Sequence, residues 1–296
     1  LYDQAVLLLL CAEVYIQNKN KLCQYAIEKT ISWLTNMKLP SGLYGSATDA
    51  DTEEGEGHYY KIPETTDEKT RKLFMLDKSG QYELGYIPWI DFSFYRENQE
   101  ESKKIIEFYK EQRKKLVKPE LDQKSVMSWN CFLSFSLLKC AEALENESIG
   151  NMAKELFESI TKYHIKNKYH HIIYGNESFD SQEYLEDYSS YLLLISEIAK
   201  TNPEFKNKAT EILNNIKVKF VHEDNLLHTT ESTFNNLLLW QDSPFPSGGS
   251  ILLNALINLN SENLNFFIPL TSGILEIALQ DPFFFGYWLY TYEKLD

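Results

Sequence analysis

The stretch SWNCFLSFSLLKCAEAL, Ser128–Leu144, is apolar or small nearly all round, with Lys139 and Glu142 its only charges. A helix without a polar face lies inside a protein. The next stretch, IGNMAKELFESITKY, places Ile149, Met152, Ala153, Leu156, Phe157, Ile160 and Tyr163 at helical spacing with charges between them. That spacing makes a half-exposed helix that covers a core on one side. The alternation repeats along the chain. Asp3–Tyr15 is broadly apolar and Leu22–Leu34 amphipathic; Leu185–Ala199 is broad and Leu-rich, and Phe205–Val218 keeps one apolar face. Pro246–Leu259 is broad again and Leu264–Leu279 follows it.

The connections alternate as well. From a buried helix to its exposed partner the links are short: NKN at 18–20, NES at 146–148, TNP at 201–203 and NSEN at 260–263. Asn202-Pro203 reads as a helix start, with an amide cap and a proline in the first turn. The returns inward, 37–63, 116–127, 166–184 and 221–245, are long. Short turns at one end and elaborated loops at the other predict an all-α (α/α)6 toroid, with inner helices inside outer ones and one domain spanning 1–296. Leu43-Tyr44, Tyr59-Tyr60 and Ile62 add a small β-hairpin near 43–62. The pattern supplies fewer helices than a closed ring of six hairpins needs. With Leu1 in place of Met, this predicts that N-terminal helices of the ring precede the chain. Loops that are long on one face only are where binding and catalysis sit.

Composition narrows the partners. The chain carries 29 Lys+Arg against 43 Asp+Glu, a formal charge of −14. A strongly acidic protein does not suit a nucleic-acid backbone, which needs clustered cations. No run is long and apolar enough to span a bilayer. Cys11, Cys23, Cys131 and Cys140 form no C-x-x-C pair, so they read as reduced thiols rather than a zinc site, and the cytoplasm is the expected compartment.

The acidic loop SGLYGSATDADTEEGEGHYY, Ser41–Tyr60, lies on the elaborated face. Its Asp49 and Asp51 have two readings. As catalysts they are half of the carboxylate pair that glycosidic cleavage requires, with Glu56 beside them to bind substrate. As structure they close turns that the neighbouring glycines permit. A calcium loop is a poor match, because Glu54 and Tyr60 stand where glycine and glutamate are needed. Trp129 offers a face for a sugar ring and Asn130 an amide for hydroxyls, against the plainer reading of side chains packed between helices. Glu186, Asp187 and Tyr188 open a broad helix. Acids there suit the helix dipole, and pointing into a barrel mouth they make a polar wall. Ser247 reads as a helix cap, with Gly248 and Gly249 allowing close packing or presenting backbone N–H groups to a ligand. His170 and His171 are adjacent, project oppositely and make a poor chelate, so no metal site is expected.

Five segments occur here in a recognisable order: LYDQA at Leu1–Ala5, LYGSATDADTEEGEGHYY at Leu43–Tyr60, LDQKSVMSWN at Leu121–Asn130, YLEDYSSYLL at Tyr184–Leu193 and PFPSGGS at Pro244–Ser250. In these the chain resembles the C-terminal part of the thioredoxin-domain-containing family that includes spermatogenesis-associated protein 20. The resemblance implies a thioredoxin-like domain before this chain. It also implies a six-hairpin barrel similar to glycoside hydrolases and N-acylglucosamine 2-epimerases. Thr48 and Gly249 depart from that family's pattern, which has Glu and Asn there.

The resulting expectation is a domain that acts on or binds a sugar or small polyol by carboxylate acid/base chemistry without a cofactor. Asp49 and Asp187 are the expected acid and base. Asp51, Glu56, Trp129, Asn130, Glu186, Tyr188 and Ser247 are the expected binding residues. The alternative is a non-catalytic ligand-binding or scaffold domain serving its thioredoxin-like partner.

Overall fold

The computed structural model describes residues 1–63, 65, 67–76, 81–82, 85–163, 169–175, 177–178, 182–222, 227–230, 240–242, 244–271 and 273–295. The expected long links at 166–184 and 221–245 fall partly outside these residues. In chain order the elements are α1 (Tyr2–Asn18), α2 (Lys21–Leu34), β1 (Ala47–Thr48), α3 (Glu68–Leu73), β2 (Gln81–Tyr82) and β3 (Gly85–Tyr86). Next come α4 (Phe92–Glu97), α5 (Gln99–Arg113), β4 (Leu121–Asp122), β5 (Lys124–Val126), α6 (Met127–Leu144) and α7 (Glu147–Thr161). The chain ends with β6 (Ile172–Tyr174), β7 (Glu177–Ser178), α8 (Leu185–Thr201), α9 (Phe205–Phe220), α10 (Gly248–Asn258), α11 (Leu264–Leu270), α12 (Ile274–Gln280) and α13 (Gly286–Glu293). They fall into two compact units, one of residues 1–46 and 123–296 and the other of residues 47–122.

The first unit holds the helical hairpins. Helices α1, α6, α8 and α10 pack side by side in that order, while α2, α7 and α9 each cover the helix before them. Burial follows the sequence pattern. Phe132, Leu133, Leu137, Leu192, Leu193, Ile195, Ile251 and Leu256 are almost wholly buried. Each such side chain contributes roughly 1.5–3 kcal/mol by leaving water. The short links are capped by their own residues. Asn20 accepts from the Leu22 N–H ahead of α2, and Asn146 accepts from Ser148 and Ile149 ahead of α7. All four cysteines are free thiols, and all but Cys23 are buried.

Three local expectations need correction. Asn202 does not cap α9, because its N–H closes α8 on the Ile198 carbonyl; the turn then runs through Pro203 and Glu204 before α9 begins. The buried helix starts at Met127 rather than Ser128, since β5 leads straight into it and Met127 donates to the His171 carbonyl. Leu264–Leu279 is two helices, because Pro269 lacks an N–H and Gly273 takes a left-handed φ of 87° that breaks the path.

Helix α10 meets α8 so closely that only glycine fits. A Cβ on Gly248 would stand 2.9 Å from the Glu186 backbone nitrogen, and one on Gly249 would stand 2.9 Å from the Trp288 ring. Backbone cannot swing aside as a flexible side chain can. Gly248→Ala is therefore expected to cost about 1–3 kcal/mol in urea unfolding. An unchanged midpoint would contradict this packing.

The second unit is pinched at its base by β1 pairing with β4, Ala47 opposite Asp122 and Thr48 opposite Leu121. Ile62, Leu73, Phe74 and Leu76 form its core, with Phe94 and Tyr109 packed against them. The hairpin expected near 43–62 is absent as a ladder among the described residues. Gly57 turns with a φ of 70° into a 3-10 turn over His58–Tyr60, and the Tyr60 hydroxyl bonds Thr48 Oγ1 at 2.9 Å and the Asp49 carbonyl at 3.1 Å. A tyrosine hydroxyl thus closes the loop where strand pairing was expected.

Candidate active site

The long-link face of the first unit holds a cleft of about 500 Å³. Its walls come from β5, the first turns of α6, α8 and α10, and the segments leading into them. Trp129, Tyr184 and Phe245 supply aromatic surface, and Lys124, His171 and Glu186 supply charge and polarity. These elements meet because Leu185 N–H donates to the Thr229 carbonyl at 2.9 Å and β5 pairs with β6, Val126 opposite Ile172.

One α6 residue ties down both acids of α8. The Ser128 hydroxyl donates to Glu186, and the Ser128 N–H donates to Asp187 Oδ1 at 3.2 Å. Asp187 is only 1% exposed, and its Oδ2 lies 3.0 Å from His171 Nδ1. Glu186 is half-buried and lines the cleft. Burial first, and then the neighbouring Asp187, push its carboxyl up to about 7, against the opposing pull of the Ser128 hydroxyl and His171.

That shift carries a stability consequence. With a folded value near 7 against an ordinary 4.5, the group costs nothing below 4.5, where it is protonated in both states. Between 4.5 and 7 the unfolded chain gives up its proton first, so stability falls as pH rises through that window. Glu186→Gln removes the penalty. Its urea midpoint should gain on the native protein from pH 4.5 to 7 and hold that gain above 7. A gap that stays flat with pH would contradict the shift.

The expected residues separate into three groups. Trp129, Glu186 and Ser247 line the cleft together. The Trp129 ring meets Tyr2 edge-on at 4.8 Å. Ser247 caps α10 by accepting from the Ser250 N–H. Asn130 and Tyr188 lie behind the wall, both fully buried. The Asn130 amide accepts from Tyr44 N–H at 2.8 Å and donates to the Val126 carbonyl at 2.9 Å, so it serves backbone rather than a ligand. The Tyr188 hydroxyl donates to Glu183, and its ring centre lies 4.1 Å from that of Tyr169. Asp49, Asp51 and Glu56 belong to the second unit and are exposed there. Asp49 accepts from the Asp51 N–H at 3.1 Å, the turn-closing arrangement.

Two contributors were missed or undervalued. In the sequence His171 reads only as half of a poor chelate; in the structure it meets Asp187, 16 residues away, a pairing that no spacing rule reveals. Asp242 was not singled out. Its Oδ1 accepts from Ser247 N–H and Ser250 Oγ, both at 2.8 Å, and its Oδ2 accepts from Tyr287 N–H at 2.8 Å and Trp288 N–H at 3.1 Å. It thereby holds Pro244–Gly248 against α13.

With this geometry in hand, comparison with known proteins is informative about the fold. Among solved structures the chain is similar to a novel alpha-amylase from Clostridium perfringens, with a TM-score of 0.55 and 10% identity over 95% of this chain and 60% of that one. The fold is an (α/α) toroid. The toroid also matches a sugar epimerase from a ruminal bacterium, with a TM-score of 0.54 and 12% identity over 94% of this chain and 61% of that one. The chain thus spans about three-fifths of the length of both. No family model and no curated protein matches the sequence. Among the described residues there is no cluster of His, Cys, Asp and Glu suited to a metal ion, and no helix is long and apolar enough to cross a membrane.

Proposed function

We propose that the first unit binds a sugar or small polyol in this cleft and acts on it by acid/base chemistry centred on Glu186. The observation that carries the reading is a carboxyl held near neutrality in a cleft with aromatic walls. A group titrating near the working pH can both take and give a proton. Trp129 supplies the flat apolar face on which the C–H side of a sugar ring stacks, while Ser247 and Lys124 serve its hydroxyls. The chemistry draws on side chains alone. Two solved structures of the same fold are of proteins described as an amylase and a sugar epimerase, which fits a carbohydrate ligand.

Asp187 takes a different part from the one its sequence suggested. It orients neighbours from beneath the wall, and Glu186 takes the role of acid. The acidic loop of the second unit is a separate proposal, with Asp49 its acid and Asp51 and Glu56 beside it as binders, and Asp49→Asn tests that role. The family resemblance adds a thioredoxin-like domain in the full-length chain as partner, and the free thiols make the cytoplasm the proposed compartment.

Thermal unfolding of the full-length protein against mono- and disaccharides tests the reading. A ligand of the native state raises the midpoint by mass action. A shift by at least one sugar that Trp129→Ala abolishes is expected. No shift with any sugar would favour a scaffold role for the domain.

A further inference from the structure

We propose that the sugar taken by this cleft carries a neutral apolar aglycone, such as an alkyl chain, which passes over Pro244–Pro246 into a groove between α1 and α13. The inference rests on the sugar-cleft reading and names its substrate class.

Pro244, Phe245 and Pro246 line two cavities at once, the cleft and a second one of about 430 Å³. Val6, Leu9, Leu10 and Val14 line the second from α1, and Tyr287 and Tyr290 line it from α13, with Phe283 beside them. The two helices are joined there by the Tyr290 hydroxyl, which donates to Glu13 Oε1 at 2.8 Å. The sequence of α1 is apolar on nearly every side, the pattern of an enclosed helix. Yet Leu10, within the groove, is 58% exposed, and Phe283 is 85% exposed. Contiguous apolar surface of this kind marks a binding site.

Three features choose the occupant. The first is continuity. The partition between the two cavities is one short segment, stiffened by two prolines of fixed φ. Phe245 is buried in it, its ring edge-on to Phe132 at 5.2 Å. A ligand that outgrows the cleft across this segment enters the groove. The second is charge. Among the described residues no Lys or Arg lines the groove, while Glu13 and Glu293 do. Its third acid, Asp242, is held by four donors. Carboxylates there repel an anionic tail, so a fatty acid is disfavoured and a neutral chain is not. The third is apolar reach. Val6 to Val14 rise about 12 Å along α1, and the cleft itself adds Ile172, Phe245 and Pro246 to the Trp129 face. That is more apolar surface than one sugar ring covers. Burial of an alkyl chain uses it in proportion to the carbon buried.

The test is titration calorimetry of the full-length protein with methyl, butyl, hexyl and octyl glycosides of D-glucose, D-galactose and D-mannose, below the concentrations at which they form micelles. For at least one sugar, Kd should fall about two- to fourfold per added methylene. Leu10→Asp, a change at an exposed position, should remove most of that gain and leave the Kd of the methyl glycoside unchanged. A second measurement locates the chain. In the ligand-free protein a Leu10→Cys thiol should react with a maleimide as fast as a Val218→Cys thiol, Val218 being 83% exposed. Octyl glycoside at about ten times its Kd should slow that reaction about tenfold, and the methyl glycoside should not. A methyl glycoside that binds as tightly as the octyl one overturns the inference and leaves the sugar cleft standing. An octyl gain that survives Leu10→Asp does the same, as does 1-octanol protecting the thiol as well as octyl glycoside at equal concentration. A thiol protected without ligand also overturns it: protection that persists on dilution would put another part of the full-length chain in the groove, and protection lost on dilution would put a second copy there. If no glycoside binds, the cleft reading falls and this inference with it.

Discussion

Glu186→Gln is expected to reduce turnover by about 10²–10⁴-fold while the protein folds and binds sugar as before. The amide is nearly the size of the carboxyl and still accepts from the Ser128 hydroxyl, so the contact between α6 and α8 is kept. What it loses is the exchangeable proton. Because the carboxyl sits at about 7, the native rate should change most near that pH, and the variant should lack that dependence. In steady-state kinetics kcat should fall with KM little changed, the mark of an interaction made in the transition state only. Equal kcat in the two proteins would remove Glu186 from the role of acid.

Asp242→Ala is expected to be the most destabilising single substitution in the first unit, by about 3–5 kcal/mol. The carboxylate serves four donors: the N–H groups of Ser247, Tyr287 and Trp288 and the Ser250 hydroxyl. Burial pushes its carboxyl up while those four donors pull the other way. Alanine would strand those donors, and an unmet buried donor costs roughly 1–3 kcal/mol. The damage should spread to the cleft, because Ser247 and Gly248 are positioned from Asp242. Asp242→Asn, which keeps one oxygen acceptor, should fall between the two. Urea unfolding followed by tryptophan fluorescence suits the measurement, since Trp240 and Trp288 lie beside the site, with the Trp288 indole N–H donating to the Trp240 carbonyl at 2.8 Å. A loss below about 1 kcal/mol would mean that the segment finds other partners.

The architecture was legible because it is written in periodicity. Ser128–Leu144 has no polar face and becomes the buried α6; Ile149–Tyr163 has one and becomes α7 covering it. The short links at 18–20 and 146–148 are capped turns, as their sequences predict. Boundaries set by tertiary contacts were not legible. Asn202 looks like a cap in isolation and is claimed by the preceding helix. The tyrosines of the acidic loop alternate like a strand, yet Tyr60 spends its hydroxyl on the loop's own residues.

The site divides along the same line. Trp129, Glu186 and Ser247 stand near the starts of buried helices, and helix starts can be read from sequence. Asn130 and Tyr188 stand at the same helix starts but on the inner side, and the sense of that rotation depends on neighbours far along the chain. That Glu186 lines the cleft while Asp187 is buried beneath it has one cause. Adjacent helical residues point about 100° apart, so only one of the two can face the cleft. His171 was undervalued because its partner is a long-range one.

The most direct measurement is a crystal structure of the full-length protein soaked with a sugar that raises its unfolding midpoint. The account predicts the sugar in the cleft, its ring against Trp129 and an oxygen or reacting carbon within reach of the Glu186 carboxyl. A sugar found only elsewhere, with the Trp129–Glu186 cleft filled by solvent, would contradict it.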